Sequence, residues 1–182
     1  LLSRMESLSR QKIYDLQSSL SAELAEDYFG SATTFVAAEI DQITRKAKIL
    51  SVGDSRAYLI DTQGKWQQIT QDHSILAELL ADFPDKKEED FATIYSGVSS
   101  CLVADYSEFQ DKIFYQEIEI QQGESLLLCS DGLTDGLSEE MREKIWKQYD
   151  NDKSRLTVCR KLVAKQGFYD DLSVVCCHFI FD

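Results

Sequence analysis

Basic residues are scarce in this chain of 182: 19 Lys and Arg stand against 32 Asp and Glu, a formal net charge of −13. A protein built to hold nucleic acid needs Lys and Arg clustered against phosphates, so nucleic acid is excluded as the main partner. Only two histidines occur, His73 and His178, which argues against a zinc site of His and Cys ligands. No stretch approaches the roughly 18 apolar residues of a membrane span, so no membrane partner is expected, and no secretory signal pattern is visible. The five cysteines, Cys101, Cys129, Cys159, Cys176 and Cys177, are odd in number and lack a framework spacing. That points to reduced thiols and a cytoplasmic setting. Glycine is also sparse: Gly30-Ser31-Ala32-Thr33-Thr34 has one Gly and no Lys, so it is not a Walker phosphate loop. The single proline, Pro84, falls in the polar stretch Asp82 to Asp90, which reads as a solvated surface loop.

What is present suits one globular domain over residues 1–182. A chain of this size buries roughly 70% of its unfolded surface and needs no staples. Leu2, Met5, Leu8, Ile13, Leu16, Leu20 and Leu24 recur at mostly three- and four-residue steps, predicting an amphipathic helix over 2–25. Strands are expected at 33–40, 47–52, 56–60 and 66–69, with Asp61-Thr62-Gln63-Gly64 as a hairpin turn. A helix over 73–81 follows, then an ambiguous stretch, 91–103. Alternation predicts a strand over 113–120, and an apolar run predicts another from Leu126. Ser138 caps a helix reaching about Tyr149, with Glu139 and Glu140 near its positive end. A second helix covers about 153–166, and a last strand 172–181. Strands first and helices later indicate an α+β fold with helices covering sheet faces.

The strongest chemical signal is Asp131. The run Leu126-Leu127-Leu128-Cys129 stops at Ser130-Asp131-Gly132, the way a buried strand delivers a carboxylate to a sheet edge where it can hold a metal. Asp170-Asp171 stand just before the last apolar run, so two strand ends suggest one shared site. A rival fold, the aspartyl-nucleophile phosphatases, ends a strand in Asp-x-Asp-Gly. Here Cys129 occupies the nucleophile's place, which removes the group that chemistry needs. Gly53-Asp54-Ser55-Arg56 reads as a tight turn with an Asp–Arg pair. Asp72 reads as a helix N-cap, and His73, which titrates near neutrality, is a candidate general acid.

In chain order GSATT, VGDSRAYL, ITQDHS, LLLCSDGLTDGLS and GFYDDLSVV resemble the metal-dependent protein serine/threonine phosphatases, the PPM or type 2C family, in its compact bacterial form. The resemblance covers about residues 29–180. It implies an antiparallel β-sandwich of two sheets flanked by helices. It also implies two Mg²⁺ or Mn²⁺ ions, or three, held by carboxylates. A water bridging the metals then attacks phosphoserine or phosphothreonine in line, without a phosphoenzyme. Residue by residue, it makes Asp131 and Asp170 metal ligands and Asp72 a ligand of a third, weaker ion. Asp54 and Arg56 belong to a structural turn. Asp171 stands where the family has Asn, and residues 82–111 match the flap over the cleft. It implies a phosphorylated protein as substrate and a serine/threonine kinase as cognate partner.

The family begins with a strand bearing an Arg and a second ending in Asp-Gly-x-Gly, both ahead of the first long helix. This chain starts at that helix, so a sandwich without its N-terminal strands is expected. Two carboxylates about 4 Å apart repel by about 4 kcal/mol at an effective dielectric near 20, a repulsion that cations relieve; without the second strand's bridging Asp, weaker metal binding and poor positioning of the water are expected. The alternatives are an inactive pseudophosphatase, serving as a phosphoprotein-binding or regulatory scaffold, and a metal-binding regulatory domain from a related branch.

Overall fold

The computed structural model describes residues 7–91, 97–105, 112–167 and 171–181. Helix α1 spans Arg10–Leu24. It starts later than periodicity suggests, because Ser9 takes an extended cap conformation and the Leu8 N–H is held by the Glu39 carboxylate. Ile13 is fully buried and packs with Leu16, Leu20, Leu50 and Val52. Buried Gln17 gives α1 its register: its Nε2 donates to Val103 O at 2.6 Å, and its Oε1 accepts from Val103 N at 3.0 Å.

Two larger antiparallel sheets follow. Strands β2 (Phe35–Asp41), β3 (Lys46–Val52) and β7 (Phe114–Glu119) make one sheet in the order β2-β3-β7. Strands β4 (Arg56–Ile60), β5 (Trp66–Gln68), β8 (Ser125–Cys129) and β9 (Val174–His178) make the other in the order β5-β4-β8-β9. A two-stranded ladder joins β1 (Ala32–Thr33) to β6 (Leu102–Val103). Period-two alternation sets the layers. On β3, Ala47 and Ile49 face the second sheet, while Leu50 and Val52 face α1. On β8, Leu126 and Leu128 point between the sheets, and Leu127 and Cys129 point toward the helices. A strand covered on both faces reads as an unbroken apolar run, which is why Leu126 to Cys129 shows no alternation.

Helices α3 (Asp131–Gly136), α4 (Glu139–Gln148) and α5 (Asp152–Lys165) cover the four-stranded sheet. Ser138 caps α4 as expected, its Oγ accepting from Met141 N at 3.3 Å. Edge-on aromatic contacts tie this layer together: Tyr58 to Trp66 at 5.2 Å and Trp66 to Trp146 at 5.0 Å. The Arg142 guanidinium lies 5.1 and 5.2 Å from the Tyr58 and Trp66 rings. Arg142 is only 7% exposed, yet its Nε and Nη1 have no hydrogen-bond partner.

Several boundaries differ from expectation. The strand expected over 33–40 breaks at Thr34 into β1 and β2. The last strand shrinks to Val174–His178. Helix α3 was not foreseen: two glycines in six residues disfavour a helix, and packing overrides that preference. The Asp61 hairpin turn is present, with Asp61 Oδ1 accepting from Gln63 N and Lys65 N at 2.8 and 2.9 Å. Of the flap-like stretch 82–111, residues 92–96 and 106–111 lie outside the described residues. Residues 82–90 are exposed throughout. Val175 pairs with Leu128 on the edge strand β9, yet it is 66% exposed.

Candidate active site

The described residues of the five motif segments adjoin where β3, β8 and the chain entering β9 come together. Gly53 leads the β3–β4 turn with φ +103. A Cβ there would stand 2.5 Å from Thr34 Cγ2, so only glycine lets the two segments touch. Thr34 Oγ1 and Ser55 Oγ are 2.8 Å apart. Thr34 therefore serves the turn rather than the ladder, which is the physical reason the expected strand breaks there.

Asp54 projects from this turn, half-buried. Burial first, then the negative charges of Asp131 and Asp72, push its carboxyl above the usual carboxylate range. The Asp131 charge thus reaches Asp54 across the site. Asp131 opens α3, and its Oδ1 accepts from Gly132 N at 2.9 Å. Ser130 does not cap that helix with its side chain. Its Oγ instead donates to Asp171 O and accepts from Ser173 N, both at 3.0 Å. Its N–H donates to Ser173 O, also at 3.0 Å. These three bonds clasp the end of β8 to the chain entering β9. Gly132 permits the approach, since a Cβ there would meet Asp171 O at 2.7 Å.

Two sequence expectations are corrected. Arg56 pairs not with Asp54 in its own turn but with Asp72: its Nε lies 3.0 and 2.9 Å from the two carboxylate oxygens, and its Nη2 reaches Oδ2. Burial opposes the Arg56 charge, but Asp72 and Tyr58 outweigh it and raise its pKa. Asp72 is also not the cap of α2 (Ile75–Asp82). That role falls to Ser74, whose Oγ accepts from Ala77 N at 3.1 Å. Asp72 faces away to take Arg56 and the Gln68 amide, the latter at 3.0 Å. Chain proximity favoured the wrong partners, because the sequence does not show that the antiparallel β4–β5 hairpin swings residue 72 back beside residue 56.

His73 has its Nδ1 accepting from Gly53 N at 3.1 Å, and its own N–H donates to Gly53 O at 3.0 Å. Burial, then the Lys112 charge, lowers its pKa. The cleft beside it encloses about 410 Å³ and is lined in part by Asp72, His73, Glu78, Lys112 and Tyr115. Lys112 pairs there with Glu78.

Asp171 is exposed and presents its carbonyl to Ser130. Asp170 lies outside the described residues. Among the described residues no three of His, Cys, Asp and Glu gather closely enough to hold a metal ion. The pairing of Arg56 with Cys129 brings the Asp54 and Asp131 segments alongside, and the charges of Asp131 and Asp72 reach the Asp54 carboxyl. An oxygen-only set under mutual repulsion fits a hard divalent cation. Sequence reasoning kept Asp54 as part of a structural turn and missed that it faces Asp131. The signal in the sequence was that β3 and β8 are each followed, two residues on, by an Asp beside a Gly.

Comparison with known proteins agrees with this geometry. The family model for protein phosphatase 2C matches residues 2–156. The serine/threonine phosphatase Stp of Listeria innocua is 33% identical over 156 residues, covering 86% of this chain and 60% of that protein. The crystal structure of a bacterial serine phosphatase superposes with a TM-score of 0.79 at 25% identity, covering 95% of this chain and 69% of that one. Phosphatase Stp1 of Staphylococcus aureus shares the fold with a TM-score of 0.78 at 22% identity, over 97% of this chain and 71% of that one. The chain thus spans about 60% of the length of the Listeria relative. With that match over most of its residues, and an antiparallel sandwich whose motif segments meet at one end, the chain belongs to the protein phosphatase 2C family.

Proposed function

We propose that the protein carrying this chain is a metal-dependent protein serine/threonine phosphatase acting on phosphoserine and phosphothreonine in other proteins. The observation that carries this reading is the convergence of Thr34, Asp54, Asp72 and Asp131 at one end of the sandwich. Asp131 and Asp170 are the metal ligands in this reading, with Asp72 on a third, weaker ion, and Mg²⁺ or Mn²⁺ suits the oxygen donors. Once bound, the ions supply a water of lowered pKa and neutralise charge on the phosphoryl oxygens.

The chain's own residues prepare that site. Asp54 adds negative potential opposite Asp131 and so favours a cation there. The Ser130 clasp holds the chain entering β9 against Gly132, next to Asp131. Arg56, spent on Asp72, braces the floor and is not free to bind phosphate. Residues 82–111 serve as a flap in this reading. Support comes from the bonds of Ile75 N to Gly97 O, 3.0 Å, and Ser99 N to His73 O, 2.8 Å, which seat residues 97–99 beside His73 and the start of α2. A cytoplasmic setting is supported by five unpaired cysteines, and a serine/threonine kinase is the natural counterpart of such an enzyme.

The test is hydrolysis of p-nitrophenyl phosphate and of a phosphothreonine peptide by the full natural protein with Mn²⁺. Asp131→Asn should lower kcat/KM by about 100-fold or more, the scale of losing metal-assisted catalysis. Undiminished turnover in that variant refutes the site. Peptide binding without turnover in the unsubstituted protein makes it a scaffold instead.

A further inference from the structure

We propose that His73 is a positioning residue for the phosphatase reaction: its Nδ1 latches the buried Gly53 amide and thereby sets where Asp54 stands against Asp131. The inference rests on the phosphatase reading but adds a residue whose imidazole does no chemistry itself.

Three observations carry it. The two residues are joined by a reciprocal pair of bonds, Gly53 N to His73 Nδ1 at 3.1 Å and His73 N to Gly53 O at 3.0 Å. Gly53 is buried, and a buried amide needs an acceptor. By accepting, Nδ1 must be unprotonated, so the neutral ring carries its proton on Nε2. The general-acid role suggested by sequence would use this ring on a substrate, but one nitrogen is committed to the backbone. Second, Gly53 is gripped on its other side by Thr34, which leaves no room for a Cβ. The turn is therefore held between two neighbours, and only one of them, His73, contributes directed hydrogen bonds to Gly53. Third, the connection from β3 to β4 is only Gly53 to Ser55, so any shift of Gly53 passes directly to Asp54, with no slack to absorb it.

Asparagine can place its amide oxygen close to where Nδ1 stands, so His73→Asn keeps an acceptor while removing the imidazole. Alanine removes both. The experiment uses the full natural protein and these two variants, assayed with p-nitrophenyl phosphate across a Mn²⁺ series. In parallel, NMR of the unsubstituted protein, with ¹⁵N in glycine and histidine, looks for scalar coupling between the Gly53 amide nitrogen and His73 Nδ1 across the hydrogen bond.

The coupling should be present. His73→Asn should retain kcat within about threefold, whereas His73→Ala should lose about tenfold or more in kcat with little change in KM, because misplacing a group by a fraction of an ångström slows the chemical step. Unchanged kcat in His73→Ala overturns the proposal. So does a His73→Asn variant as slow as His73→Ala, since that outcome gives the imidazole a direct chemical role. Absence of the coupling overturns the latch whatever the activities. If the unsubstituted protein shows no turnover with Mn²⁺, the phosphatase reading fails by itself, and the coupling alone decides whether the latch exists.

Discussion

Gly132→Ala is the sharpest test of how the site is assembled. Gly132 follows Asp131 at the start of α3 and lies against the chain entering β9. An added Cβ would sit 2.7 Å from Asp171 O and 3.2 Å from Asp171 C. Both are backbone atoms, so no side chain can swing aside. The Asp171 peptide must retreat, which breaks or stretches the 3.0 Å bond it accepts from Ser130 Oγ. Overpacking of this kind costs about 1–3 kcal/mol, and the lost hydrogen bond adds about 0.5–1.5 kcal/mol. Alanine returns about 0.8–1 kcal/mol of helix propensity. The net is a destabilisation of about 0.5–3.7 kcal/mol, which for a chain of this size lowers Tm by about 1–15 °C. Calorimetry or thermal circular dichroism measures it. Ser130→Ala supplies a cycle: the double variant should fall short of the summed single effects, because both act on the same bond. A Tm for Gly132→Ala equal to or above that of the unsubstituted protein means the clasp is loose, and the reasoning fails.

Other expectations follow from the same geometry. Arg56→Lys replaces a guanidinium fork with a point charge and should cost about 1–3 kcal/mol in urea unfolding; an unchanged midpoint would show that the Asp72 pair contributes nothing. Arg142→Met removes a buried cation with unpartnered Nε and Nη1 at similar volume, and should raise stability by about 1 kcal/mol despite the lost ring contacts. A lower urea midpoint would show that the rings hold the charge better than an apolar chain fills the space. Asp54→Asn tests the pH linkage without added metal. The folded carboxyl titrates above its unfolded value, so ionised Asp54 weakens the fold above its folded pKa, and the penalty disappears below the ordinary carboxylate range. The variant should therefore be the more stable protein at pH 7, with the advantage shrinking as the pH falls; an advantage that grows toward acid reverses the assigned sign.

Most kinds of element were legible in the chain because side-chain periodicity is local; α3 was not, and the unbroken run Leu126 to Cys129 carried no inward face. The alternation over Ile113 to Ile120, the helical spacing through Ile13, Leu16 and Leu20, and the Ser138 cap need no knowledge of distant residues. The family motifs were legible for the same reason, each being a short string with its own turn chemistry. Partner choice was not. Arg56 takes Asp72 rather than Asp54, Ser130 clasps the chain entering β9 rather than capping α3, and His73 spends Nδ1 on Gly53. These depend on hairpins and crossovers that bring together residues 16, 41 and 20 positions apart, where a hydrogen bond follows distance and direction rather than order in the chain. Asp54 is the clearest case: its residue type was visible from the start, but its opposition to Asp131 exists only once β3 and β8 end at the same rim of the sandwich.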